Sequence, residues 1–450
     1  MNTRRVALFL LLALTGARLT AEERPPQGPL PEAGSLRPSD DRLLTLADLE
    51  SLALQHHPTL VQAEMLVRAA EGACLQAGLY PNPVAGYRGE EIGDEGKAGQ
   101  QGGFVSQQII TGHKLQLGRA VASHRVEEAR LAWEAQRRRV LNDLRARYYE
   151  VLVAQQTVDL DEQLLRIGQE GAQTAEQLFR AQEVGRTDVL QAGIEADTAR
   201  LQLENARNQF EAAWRQLAVA AGVPHLPLSR LAGSLEADLA DLTWEQSLAK
   251  LLAESPELAR ARSAVERARC ELDRQCALRQ PDVEATAAVQ FDNASRDTFA
   301  SVELGVPLPI FNRNQGNIVR AQADLVAAEK EVERVRLALI DRLSAAFFRY
   351  ANARRQAVIY AKEILPKAQQ SLELTRTGYR QGQFDYLTLL TAQRTYFRTN
   401  LQYIQSLREL RLSLVDIEGL LLRGGLQEPA PPAGGAEAPA GPAGSAAPSE

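Results

Sequence analysis

Apolar positions recur with two different periods along this chain, and the order of those periods is itself repeated. From Thr45 to Gly78 and from Thr243 to Leu278 the sequence is rich in Ala, Leu, Glu and Arg, which predicts a helix of about 35 residues in each place. Each run stops at proline, Pro81-Asn82-Pro83 and Pro281-Asp282, because proline lacks the backbone donor and clashes with the preceding turn. The period then drops to two. Val283, Ala285, Ala287, Val289 and Phe291 alternate with Glu284, Thr286, Ala288, Gln290 and Asp292, and Ala300, Val302, Leu304 and Val306 resume the alternation after a polar turn. This is a β-hairpin with one apolar face. Val84–Ile92 and Gly103–Ile110, around the glycine-rich stretch 93–102, form its weaker counterpart in the first half.

Beyond each hairpin the helical period returns without a strong break, from Gly112 to Gly185 and from Arg313 to Gly382, where Pro366 is the sole interruption. Wholly helical, these segments reach about 110 and about 104 Å. A heptad thread runs through the second: Ile318, Leu325, Val332, Leu339 and Ala346, accompanied by Ala321, Ala328 and Val335. A helix of about 35 residues then returns from each glycine turn, Asp188–Ala221 and Asp385–Leu422. The unit is therefore laid down twice, with Pro58 and Pro256 offset by 198 residues and Gly185 and Gly382 by 197. Two copies are too few for a solenoid and fit a half that closes with its twin or with other chains. By length, Asp188–Ala221 and Thr243–Leu278 are expected to stack end to end along one long helix.

Strands of about 9 to 11 residues with one apolar face have the length of membrane-barrel strands. After residue 21 no run of 18 apolar residues occurs, so any embedding has to come from those strands. Val283, Ala285, Val289 and Phe291 are the expected lipid-facing positions. Four strands per chain cannot close a barrel, since the smallest have about eight, and a barrel would be shared between subunits.

The ends of the chain read differently. Residues 1–21, with Arg4 and Arg5 ahead of the apolar run Val6–Leu14, have the form of a secretory signal. Residues 22–44 are a Pro-rich lead-in, and 424–450, almost all Ala, Pro, Gly, Ser and Glu, are expected to be disordered. Between them lie a first copy at 45–222 with its hairpin at 83–110, a linker at 223–242, and a second copy at 243–423 with its hairpin at 282–308. With 51 basic against 57 acidic residues and no basic block, nucleic acid is a poor partner. Cys74, Cys270 and Cys276 lack metal-ligand spacing and are expected to act as small buried residues. No nucleophile with a paired base, phosphate loop or metal cluster stands out. The reading is therefore of a non-enzymatic chain without a cofactor, whose energy comes from a partner.

These features together resemble the TolC family of outer-membrane efflux channels, in particular its heavy-metal efflux (CzcC/CusC-like) branch. The resemblance covers about residues 45–422. Its most specific stretch is Pro307-Leu308-Pro309-Ile310-Phe311-Asn312-Arg313-Asn314-Gln315-Gly316-Asn317, similar to that branch's strand-to-helix junction, with Gln107–Gly112 as its counterpart. The turns around Val184–Val189 and Tyr379–Gly382 are similar to the family's two periplasmic tips. The resemblance implies a homotrimer whose twelve strands make one barrel in outer-membrane lipid and whose helices make a periplasmic tunnel. It further implies an RND-type inner-membrane pump and a periplasmic adaptor as partners, and heavy-metal cations as cargo, with organic drugs or secreted protein as alternatives.

The resemblance also assigns a gate. Tyr379 and Asp188 match a tyrosine and an aspartate that hold neighbouring helices together at the closed tip, and Asp385 falls near an aspartate of the constriction. Gly185, Arg186, Thr187, Arg380 and Gly382 complete the two tips. The sequence departs from the family at Phe384, where an arginine is expected and for which Arg186 or Arg380 would substitute, and at Thr388 and Thr391, where a second carboxylate ring would stand. From the residues alone, Asp188 and Asp385 are equally suited to capping their helices. A rival reading is an exported coiled-coil adaptor, in which β domains flank a helical hairpin; here the strands lie inside each copy.

Overall fold

The computed structural model describes residues 43–93, 96, 98–236 and 241–429. The chain divides into two units, Met1–Leu43 and Leu44–Glu450. The first, with the expected signal and most of the Pro-rich lead-in, lies almost wholly outside the described residues, and every helix and strand named below belongs to the second.

The architecture is mainly α, with a β-hairpin in each copy. The first copy comprises α1 (Leu46–His56), α2 (Pro58–Ala77), β1 (Val84–Glu90), β2 (Gln100–Ile109), α3 (Lys114–Arg180) and α4 (Arg186–Ala220). The second comprises α5 (Trp244–Glu254), α6 (Pro256–Ala277), β3 (Val283–Asp292), β4 (Thr298–Gly305), α7 (Gln315–Ile359), α8 (Leu365–Arg380) and α9 (Tyr386–Glu418). At 67 residues α3 runs uninterrupted for about 100 Å.

Proline corrects the sequence reading in three places. The opening helices are not single: His57 and Ser255 are extended, and Pro58 and Pro256 begin a second helix in each copy. A residue before proline is pushed out of the helical region, and proline itself suits a helix start, where its missing N–H costs nothing. Thr45 caps α1 with a reciprocal capping box to Asp48, and Ser255 caps α6. At Pro366 the long helix does not break but widens: Tyr360–Ile364 form a π turn, and the Leu365 N–H reaches back to the carbonyl of Tyr360. The extra residue accommodates the ring and the missing donor.

The four strands form one antiparallel sheet in the order β1-β2-β3-β4, and the helices stand side by side in the same order. α2 and α4 flank α3 on one side, α6 and α9 lie between α3 and α7, and α7 with α8 is outermost. Stacking is within each copy, contrary to the expectation from length. Gly222, with φ 74°, ends α4 against the α1–α2 break, where a Cβ would lie 3.1 Å from the His56 backbone. Arg147 on α3 bonds Gln216 near the end of α4, whereas Gln136 bonds Thr59 at the start of α2. On α7, Arg342 pairs with Glu257 at the start of α6 and Arg349 with Asp416 near the end of α9.

The heptad thread of α7 is its inward face. Leu339 and Ala346 are buried, and Val332 and Val335 pack on the same core as Leu144, Leu217, Leu343 and Leu407. The three cysteines lie in helices, but none is buried and Cys276 is exposed. Cys74 and Cys270 are half-buried, Cys74 against the small cluster of Ala70, Val126 and Ala129.

The linker and the chain end are both fastened at mid-height. Leu231 bridges Leu44, Ala232 N donates to Leu44 O, the Tyr148 hydroxyl donates to Ala232 O, and Arg411 Nε donates to Leu235 O at 2.9 Å. Of the tail expected to be disordered, residues 424–429 are held in place, and 430–450 lie outside the described residues. The amides of Gly424 and Gly425 donate to Asp143 at 3.1 and 2.6 Å, and Gly425 O accepts from Gln136 at 2.7 Å. Residues 423–429 thus form a strap over α3, held because its backbone satisfies side chains that burial would otherwise leave unpaired.

Candidate functional site

The sheet separates its two faces by chemistry. Register places Tyr87, Gly103, Val289 and Ala300 directly across from one another, with Val105, Ala287 and Val302 in the next such row. Val289, Phe291, Val302 and Leu304 on this face are exposed, Val302 at 77%, whereas Val283 and Ala285, nearer the helices, are half-buried. The opposite face carries Arg88, Ser106, Glu284, Thr286, Gln290 and Glu303. There the Thr286 hydroxyl donates to Ser106 Oγ at 3.0 Å, Ser106 donates to Glu284 at 3.2 Å, and the Arg88 guanidinium lies 5.4 Å from the Phe104 ring centre. Such a sheet matches a boundary between hydrocarbon and water, and the outer edges of β1 and β4 have no strand beside them among the described residues.

At the far end of the helices are two turns, and their geometry revises the alignment of the copies. Asp385 is the N-cap of α9 and Gly185 the N-cap of α4, an offset of 200 residues. The left-handed residue that closes the preceding helix is Gly382 in the second turn and Gln182 in the first, again an offset of 200. Glu183 N bonds Leu178 O just as Gln383 N bonds Gly378 O. The two glycines matched in the sequence at an offset of 197 therefore occupy different positions. Gly185 sits in ordinary extended backbone, and the counterpart of Tyr379 is Phe179.

Asp385 caps its helix. Its carboxylate accepts from Thr388 N at 3.0 Å and from the Thr388 hydroxyl, and these bonds hold it below the usual carboxylate range. Asp188 sits three residues into α4, where it faces the positive end of the helix dipole but makes no capping bond. Arg186, Thr187 and Arg380 are exposed. Phe384, in place of an arginine, lies over Gly378, where a Cβ would fall 2.3 Å from the ring.

Tyr379 is only 4% exposed, against 39% for Phe179. It packs with Ala175, Ala192, Leu372, Tyr386, Leu389 and Leu390, its ring centre 5.9 Å from that of Tyr386. Its hydroxyl is buried with no hydrogen-bond partner among the described residues. Burial and, after it, the nearby Asp188 carboxylate push its pKa up. Tyr386, unnoticed in the sequence, is pushed up to about 12, chiefly by burial and then by Glu195. Two ion pairs also escape the sequence, Arg376–Glu170 and Arg394–Glu195, each joining the tip of one copy to that of the other. Opposite charges about 200 residues apart carry no local signal; only the fold brings them together.

Among the described residues no group of three His, Cys, Asp or Glu side chains could hold a metal ion, and no helix is long and apolar enough to cross a membrane.

The family model described as outer membrane efflux protein matches residues 49–223 and 248–421. The cobalt-zinc-cadmium resistance protein CzcC of Cupriavidus metallidurans is 27% identical over 384 residues, which is 84% of this chain and 90% of that protein. Among solved structures, the outer-membrane channel OprN superposes with a TM-score of 0.70 at 19% identity, covering 84% of this chain and 90% of the other. The transmembrane channel protein CusC superposes with a TM-score of 0.68 at 18% identity, covering 89% and 98%.

Proposed function

The chain belongs to the outer membrane efflux protein family, and on that premise we propose that three copies close into one outer-membrane barrel continued by a periplasmic tunnel of helices. The observation that carries this reading is the sheet: apolar on one face, polar on the other, with both outer edges unpaired among the described residues. Three four-stranded sheets joined edge to edge exceed the roughly eight strands a closed barrel needs. The helical columns support the same closure. On the outermost face of α7, Val319, Val326, Leu337 and Phe348 are exposed, and on the opposite column Val61, Met65, Leu190, Ile194 and Leu201 are exposed. Unequal faces that meet head to tail generate a ring when the rotation closes.

Transport through this conduit is passive. An inner-membrane pump of the RND type supplies the energy, a periplasmic adaptor docks at the tip, and export of the chain to the outer membrane uses the segment at 1–21. The cargo is a heavy-metal cation, supported by the likeness to the cobalt-zinc-cadmium resistance protein. At the tip, Tyr379, Asp188 and Asp385 with Gly185, Arg186, Thr187, Arg380 and Gly382 form the gate, and Val283, Ala285, Val289 and Phe291 meet lipid.

Two measurements test the reading. Purified in detergent, the protein is expected to be a trimer that conducts in planar bilayers; a water-soluble monomer overturns the channel. Deletion of the gene is expected to lower tolerance to cobalt, zinc or cadmium ions. Unchanged metal tolerance with lowered tolerance to organic drugs replaces the cargo and keeps the conduit.

A further inference from the structure

The chain contains an internal template for the seam it has to make with the next copy. At the base of the sheet, the segment leaving β2 meets the segment entering β3. Thr111 N donates to Asp282 Oδ1 at 2.9 Å, the Thr111 hydroxyl donates to Pro281 O at 2.6 Å, and Lys114 Nζ reaches Asp282 Oδ1 at 2.6 Å. One residue on, a Cβ at Gly112 would lie 2.6 Å from Gln280 Oε1. This contact joins the exit of one hairpin to the entrance of the next.

The same two pieces stand at the open edges of the sheet: the exit from β4 and the entrance to β1. Backbone geometry aligns them with the template. His113 and Asn314, each just before a long helix, share a left-handed conformation, with φ 56° and 58° and ψ 20° in both. Thr111 therefore corresponds to Asn312, and Ile110 to Phe311. Helices α2 and α6 end at Ala77 and Ala277, so Leu79, Tyr80 and Asn82 stand where Arg279, Gln280 and Asp282 stand in the template.

The chemistry changes together on both pieces. Ile110 is half-buried, whereas its counterpart Phe311 is 90% exposed, with Leu308 and Ile310 bare beside it. Arg279 and Gln280 are replaced by Leu79 and Tyr80, both exposed. Apolar surface on two opposite edges at one level, each beside a strand whose outer edge is open among the described residues, is what a second copy of the chain covers. Contact with lipid alone would account for Phe311 but leaves unexplained why the entrance to β1 turns apolar at the positions where the template is polar.

We propose that the segment leaving β4 of one copy, centred on Phe311 and Asn312, seats on Leu79, Tyr80 and Asn82 of the next copy, an apolar clasp that closes the ring at the base of the barrel. This rests on the trimeric reading above. The test is disulfide trapping with Cys74, Cys270 and Cys276 each replaced by Ala. Asn82→Cys combined with Asn312→Cys, oxidised in membranes, is expected to give bands of two and three linked chains on a denaturing gel, reversed by reductant. Thr111→Cys with Asp282→Cys, the template pair, is expected to link within one chain and shows that geometry and oxidation suffice. Phe311→Asp is expected to lose trimer on dilution in detergent that the unaltered protein retains. If the template pair links, the protein is trimeric and Asn82→Cys with Asn312→Cys stays unlinked, the clasp is overturned and the trimer stands. A monomeric unaltered protein overturns both.

Discussion

The Tyr379 hydroxyl is buried without a hydrogen-bond partner among the described residues, beside a carboxylate close enough to raise its pKa. A buried donor left unmet is costly, and on the proposed gate reading closure of the tip is what pairs this hydroxyl. Tyr379→Phe with Asp188→Ala is expected to shift the tip towards open, removing about 0.5 to 1.5 kcal/mol per subunit. Single-channel conductance checks this: raised conductance supports a gate, and unchanged conductance with a lower melting temperature shows two residues that only stabilise their helices. A second residue reports on the middle of the molecule. Burial holds His57 below its ordinary value of 6.5, with Asp143 opposing the shift. As pH falls the unfolded chain takes up the proton first, so the stability due to neutral His57 is whole above 6.5 and is lost as pH drops towards the lowered value. His57→Gln is expected to flatten that part of the melting-temperature profile between about pH 7.5 and about pH 5.5. Neither environment was legible beforehand. A histidine between another histidine and a proline, and a tyrosine near a glycine, have no local pattern that announces burial, whereas Asp385 as a cap was readable because a carboxylate three residues ahead of a helical amide is a short-range arrangement.

Period-two and helical patterns located the elements well, because both are dictated by which face each residue turns to the core. The alternation over Val283–Asp292 became β3, and the unbroken stretch after Gly112 became α3. Proline was misread where it starts a helix instead of ending one, at Pro58 and Pro256, and the π turn before Pro366 has no composition of its own. The glycines at the tips misled for another reason: a left-handed residue at a helix end need not be glycine, and Gln182 fills that place in the first copy. The hairpins yield a test at this scale. Val302→Arg and Val289→Arg, on the apolar face, are expected to impair assembly by about 2 to 4 kcal/mol if near the membrane midplane. Ser301→Arg, on the polar face, is expected to assemble normally. Equal loss from both faces would remove the sheet from the membrane. Gln290 is a poor control despite its polar face, since it is 3% exposed and its amide nitrogen has no partner among the described residues.

At the scale of the whole molecule, the strap at 423–429 ties the end of the second copy to the first. Ending the chain after Leu422 removes the backbone partners of Asp143 and Gln136, bonds worth about 0.5 to 1.5 kcal/mol each, and is expected to lower the melting temperature. Ending it after Pro429 is expected to leave that temperature unchanged, and equal stability of the two truncated chains would show that the strap holds nothing. The duplication was legible from sequence because each copy keeps its own order of periods. The stacking within copies was not, because helix length alone does not distinguish which partner continues a column. Tandem duplication has a further effect on assembly. On the trimeric reading, six separate halves would need five encounters to complete a ring, whereas three double chains need two. Each encounter costs about 4 to 15 kcal/mol of lost translational and rotational freedom. By fastening one half to the next, the linker from Gly222 to the start of α5 removes three of those losses, so the seams that remain can be thin and still hold.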